Sequence, residues 1–187
     1  MEALLGIAIL VALGLLLTYN GLIARKNAVE NAFGAVEAQL KKRYDLIPNL
    51  VEAVKRYMAH ERELLERLTL LREEAERARA RGNAEEEFRL EGEVGRLLGQ
   101  LRLRAEAYPD LKASGNFLQL QAALTETEDS LAAARRFYNQ AVTDYNNAIE
   151  QFPGLLLARP MGLVRKPVFT LPEGERERPD LGELFGR

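Results

Sequence analysis

His60 and Glu61 are the only histidine–carboxylate neighbours in the chain, and acid–base or metal chemistry would be sought there first. Adjacent residues on a helix do not face each other, so the pair cannot act as a dyad by itself. A di-iron helical bundle needs Glu-x-x-His motifs on two helices. Here Tyr57 stands three residues before His60, and there is no second histidine. With one His and no Cys, multi-histidine metal sites, zinc-thiolate sites, disulfides and thiol catalysis fall away. No phosphate-binding Gly-rich loop, Ser-x-x-Lys or nucleophile elbow is present. The sequence therefore predicts no catalytic residue, no metal ligand and no cofactor, and His60 and Glu61 read as structural.

Four further groups could make specific contacts. Tyr44, Asp45, Pro48 and Asn49 cluster at an expected helix turn, where Asp45 can cap a new helix and Pro48 is tolerated in its first turn. Tyr138-Asn139 and Tyr145-Asn146 recur one heptad apart. Buried tyrosine hydroxyls need partners, so these pairs are expected to fix helix register. Lys41-Lys42-Arg43 is a basic cluster, read as a solvated helix end or as a patch for an acidic partner. These residues make up the candidate interaction or structural motifs.

The elements that must position them begin with an anchor. Residues 3–17 are unbroken apolar or small side chains, and Leu22, Ile23 and Ala24 extend the run. A helix over 3–24 measures about 33 Å, the thickness of a bilayer core. The Met-Glu-Ala start lacks the basic residues of a signal peptide, which favours an uncleaved, single-pass span. Arg25 and Lys26 follow the run, so the positive-inside rule puts the N-terminus outside and the helical domain in the cytoplasm of a cell-membrane protein. Gly6 and Gly14 flank Leu10 as a small-residue face through which anchors could pair into a homo-oligomer. The net charge is −2, and all but one of the 28 acidic residues lie beyond the anchor with all 26 basic ones. That balance argues against a nucleic-acid partner.

The remainder predicts an all-α fold, an antiparallel coiled-coil-like four-helix bundle over residues 25–153. Val29, Phe33, Val36 and Leu40 mark a first helix over about 25–44. A second is expected over about 46–81, stopped by Gly82-Asn83, and a third over about 84–107. The third contains Gly92, Gly95 and Gly99, read as a site of close helix approach. The fourth, about 112–152, carries a heptad-like seam from Phe117 through Leu131, Tyr138 and Tyr145 to Phe152. A returning second helix of some 36 residues would reach about 54 Å and drive a charged end into the bilayer, which predicts a bend at Asn20-Gly21 or a break in that helix. Prolines 153, 160, 167, 172 and 179 recur at about every seventh residue and predict an extended strap over 154–172, on the bundle, the membrane or a partner. A disordered charged tail over 173–187 follows, with Leu181, Leu184 and Phe185 near its end.

Several strings resemble the LemA family of membrane-anchored bacterial proteins. They are Tyr19-Asn20, the run Gln39-Leu-Lys-Lys-Arg-Tyr-Asp-Leu-Ile-Pro-Asn-Leu-Val-Glu52, His60-Glu61, Tyr108-Pro-Asp-Leu-Lys112, Phe117-Leu-Gln-Leu-Gln121 and Ala134-Arg-Arg-Phe-Tyr-Asn139, with Tyr145-Asn146 and Phe152-Pro153 after it. The likeness covers roughly residues 19–169. It implies one N-terminal span, an outer N-terminus, an inner helical bundle and no catalytic residues. The Gly-rich third helix and the charged tail depart from the pattern. The expected function is a membrane-tethered scaffold or adaptor binding membrane or cytoplasmic proteins through bundle and strap. The alternative is a ligand- or ion-binding bundle, or an enzyme, with a core site near His60, Glu61, Tyr57 and Tyr138.

Overall fold

The computed structural model describes residues 1–169. Every regular element among them is helical: α1 (Glu2–Lys55), α2 (Arg62–Ala80), α3 (Ala84–Ala105), α4 (Pro109–Lys112), α5 (Gly115–Glu150) and α6 (Gly154–Ala158). A 3-10 turn at Ala59–Glu61 precedes α2. Pro172, Pro179 and the tail over 173–187, with Leu181, Leu184 and Phe185, lie outside the described residues. The described chain divides into two units, residues 1–41 with 128–168, and residues 42–127 with Phe169.

In the first unit the opening turns of α1 are exposed along their whole length. Residues 1–17 are all exposed, and Leu22 is the first deeply buried side chain. From there α1 buries Leu22, Val29, Ala32, Val36 and Leu40, while α5 buries Leu131, Tyr138, Ala141, Val142, Tyr145 and Ile149. The rings of Phe33 and Tyr138 meet at 5.8 Å. These spacings of three and four keep two apolar stripes in register. The unit contains only two long helical segments, so the four-helix bundle expected over 25–153 does not run through it.

Beyond α5 the chain turns sharply. An added Cβ on Gly154 would stand 2.0 Å from the Ala148 carbonyl oxygen, so only glycine fits there. Leu155-Leu156-Leu157-Ala158 then forms α6 instead of the expected extended strap. Leucine and alanine are strong helix formers, and no proline intervenes before Pro160. Gly162, at φ +64°, closes the turn as Leu163 N–H donates to the Ala158 carbonyl at 2.9 Å. Residues 163–169 have no regular structure.

In the second unit α2 and α3 pack together. Leu64, Leu68, Leu71, Ala75 and Ala78 are buried on α2, as are Phe88, Val94, Leu97, Leu101 and Ala105 on α3. Gly82, at φ +69°, lets Asn83 N–H reach the Ala78 carbonyl, and the Asn83 side chain accepts from Glu86 N–H. Tyr44, Ile47, Leu50, Val54 and Met58 supply one apolar line, and Phe117, Leu124 and Thr127 another. Phe169 stacks on Phe88 with ring centroids 4.1 Å apart.

Two expectations about helix ends need correction. α1 does not stop at Tyr44 but runs through Pro48 to Lys55. The second helix does not begin at 46; it starts at Arg62 and is 19 residues long. Of the two ways out of the length conflict, a bend at Asn20-Gly21 or a break in the second helix, the structure takes the break: the helix is interrupted between Lys55 and Arg62, which leaves α2 about 28 Å long. Gly95 and Gly99 of α3 depart from the expected close approach of a helix as well. A Cβ on Gly95 would lie 3.1 Å from Arg43 Nη2, while one on Gly99 would meet nothing. Gly95 thus makes room for a guanidinium, not for a neighbouring backbone.

Candidate functional site

Arg43 falls in phase with Val36, Leu40 and Ile47, on the buried stripe of α1. Lys41 and Lys42 point to solvent, but Arg43 is 1% exposed, which corrects the reading of all three as a solvated cluster. Its Nη1 donates to Glu91 Oε2 at 2.7 Å, and the Glu91 side chain is 0% exposed. Glu87, one turn before Glu91 on α3, is also buried. Tyr44 adjoins the pair. Burial pushes its phenol far above the ordinary tyrosine range, the Glu91 and Glu87 carboxylates push it further, and Arg43 opposes them. The phenol therefore stays neutral. A desolvated ion pair inside a helical core demands full hydrogen bonding and tolerates little rearrangement.

The rest of this motif is structural too. Asp45, Pro48 and Asn49 are exposed. Asp45 caps nothing, because it sits inside α1. Asn49 Nδ2 donates to the Asp45 carbonyl at 3.4 Å and lines a shallow groove with Glu52, Arg56, Tyr57 and Asn116. Pro48 has no N–H to offer the Tyr44 carbonyl four residues back, the bond a helix interior requires. Arg72 of α2 supplies it, donating from Nε to Tyr44 O at 3.1 Å while its Nη2 is held by Glu76 at 3.0 Å. A side chain from another helix thus replaces the missing backbone donor. Arg72→Leu should cost about 1–2 kcal/mol by orphaning that carbonyl. In a Pro48→Ala background, where the backbone donor returns, the loss should shrink by about 1 kcal/mol. Urea titration of the four members of this cycle in detergent measures the coupling; strictly additive losses would contradict the assignment.

The second polar constellation lies on α5 in the first unit. Tyr138 Oη donates to the Pro167 carbonyl at 2.9 Å, and Tyr145 Oη to the Val164 carbonyl at 3.1 Å. Asn146 grips the backbone of Lys166 twice, donating from Nδ2 to its carbonyl at 3.0 Å and accepting its N–H at 2.9 Å. Arg165 pairs with Glu150 at 2.7 Å. Burial pushes the Tyr138 phenol up to about 12 and raises Tyr145, which the Glu30 carboxylate raises further. Asn139 is half-buried, and its carbonyl accepts from Thr143. Tyr138, Tyr145 and Asn146 therefore hold the segment after α6 against α5. Their heptad spacing signalled the buried hydroxyls; the carbonyls that accept from them carry no sequence signal.

His60 is exposed on the 3-10 turn, Glu61 pairs with Arg104 of α3, and Tyr57 is exposed. Tyr138 belongs to the other unit. Neither unit gathers these four residues into one site. What the described residues define is an all-helical protein with one apolar helix of membrane-spanning length near its N-terminus.

The LemA family profile matches residues 32–182, and the chain belongs to the LemA family. It is 28% identical to "Protein LemA" of Metamycoplasma hominis over 165 residues, 88% of this chain and 74% of that one. It is 26% identical over 178 residues to "Magnetosome protein MamQ 2" of Paramagnetospirillum magneticum, and 24% to "Magnetosome protein MamQ" of Magnetospirillum gryphiswaldense. Both alignments cover 83% of this chain and 65% of the relative. None of these names describes an enzyme activity.

Proposed function

We propose that this protein is a single-pass, membrane-tethered scaffold, with its N-terminus outside and its helical domain in the cytoplasm, where the domain binds other proteins. The observation that carries the reading is the bare apolar start of α1. Residues 1–17 include Leu4, Leu5, Ile7, Ile9, Leu10, Val11 and Leu13, each more than half exposed. Apolar side chains all round an unpacked helix need lipid as solvent. Arg25 and Lys26 on its C-terminal side support the inward orientation. Arg43 pairs with Glu91, and Tyr138, Tyr145 and Asn146 bond to backbone, which supports recognition by outer surfaces over chemistry in the core.

The chain has no cysteine, so single introduced thiols report topology cleanly. Glu2→Cys should react with a membrane-impermeant maleimide in intact cells, and Leu103→Cys, at an exposed position, only after permeabilisation. The reverse pattern would overturn the orientation. Crosslinking of the full-length protein in its native membrane, read by mass spectrometry, should give reproducible adducts to other proteins. Adducts confined to the chain itself would sink the scaffold role.

A further inference from the structure

We propose that the turn from Phe152 to Leu156 is a second membrane contact, lying in the boundary between headgroups and acyl chains beside α1. The proposal rests on α1 being the anchor and adds a contact to it. Gly154 places α6 at a defined level, because the position of its missing Cβ is 3.3 Å from Leu22 Cδ2. From Ala3, α1 has by Leu22 risen about 29 Å, close to the thickness of a bilayer core. Three residues later the chain becomes charged at Arg25. The α6 turn thus sits beside α1 where α1 leaves the membrane.

The faces of α6 agree with that level. Gly154 and Ala158, one turn apart, are buried against the protein. Leu155 and Leu156 turn outward at 42% and 59% exposure, and Phe152 stands 79% exposed although it continues the apolar seam of α5. Large apolar side chains exposed together on one turn suit the interface better than water. Tyr19 on α1 is also exposed, as an interfacial aromatic would be. Arg25 and Arg159 flank the turn as exposed cations, suited to lipid phosphates.

The chain contains no tryptophan, so single tryptophans give unambiguous fluorescence. The full-length protein would be reconstituted in phosphatidylcholine–phosphatidylglycerol vesicles whose acyl chains are brominated near the headgroup. Phe152→Trp should lose emission about twofold to bromolipid, because interfacial side chains lie roughly 5–10 Å deep, and should resist aqueous iodide. Phe137→Trp, about 22 Å back along α5, should behave oppositely. Leu10→Trp tests the anchor itself. If Leu10→Trp is quenched by bromolipid and Phe152→Trp is quenched only by iodide, the second contact falls and the anchor stands. If Phe152→Trp is shielded from both quenchers, a protein surface covers the turn and the lipid assignment is overturned. If Leu10→Trp is not quenched by bromolipid, both readings fall.

Discussion

Replacing Arg43 by Met is expected to destabilise the protein by about 3–5 kcal/mol, the range for removing one partner of a buried ion pair. The Glu91 carboxylate would remain 0% exposed, close to a second buried carboxylate, Glu87, and to a neutral phenol, Tyr44. Neither the phenol nor another carboxylate replaces a guanidinium as counter-charge. Arg43→Lys should also lose stability, since a compact ammonium on a different stem does not reproduce a planar guanidinium seated against Glu91. The double substitution Arg43→Met, Glu91→Leu removes both desolvated charges and should recover much of the loss. Thermal unfolding of the full chain in detergent, followed by circular dichroism, reads all four proteins. The Arg43→Met midpoint should fall by roughly 10 °C, at 2–4 °C per kcal/mol for a chain of this size. A single substitution within about 1 kcal/mol of wild type would mean that the pair is solvated.

That cluster also marks where the sequence was hard to read. Spacing placed Arg43 on the α1 stripe, in phase with Leu40 and Ile47, yet composition placed it with Lys41 and Lys42. Its partner Glu91 lies with Glu87 on the buried stripe of α3, where charge alone gave no sign of burial. A charged residue in an apolar phase is legible only with its counter-charge, and that lies 48 positions away. Pro48 is a similar case. The local rule that proline ends a helix is sound, but Arg72 satisfies the freed carbonyl from another helix, which no local pattern announces. The turn at 56–61 contains neither Gly nor Pro and gave no warning. By contrast, the stop at Gly82-Asn83 and the apolar run at the N-terminus depend on local chemistry alone, and both were readable. So was the α5 seam from Phe117 to Tyr145; its last member, Phe152, is the one that turns outward.

Gly154→Ala is the second large effect expected. The new methyl would stand 2.0 Å from the Ala148 carbonyl oxygen and 3.1 Å from its carbon. Both are backbone atoms at the end of α5, so neither can rotate away as a long side chain would. Either α6 leaves its seat or the last turn of α5 unwinds. The cost should reach about 3 kcal/mol, the upper part of the usual range for overpacking, and should be confined to this end of the first unit. Local opening is read by hydrogen exchange. The Met161 and Leu163 amides, which donate to the Leu157 and Ala158 carbonyls, should lose protection, while amides in α2 and α3 keep theirs. Gly162→Ala provides the contrast. Its Cβ would meet open space but at φ +64°, so its loss should be about 1 kcal/mol, the price of alanine in a left-handed cap. Equal and small losses at the two positions would show that α6 is not seated on the Ala148 carbonyl. Because that seat also sets the level of Phe152 and Leu156 beside α1, Gly154→Ala should reduce bromolipid quenching of Phe152→Trp as well, and Gly162→Ala should do so less.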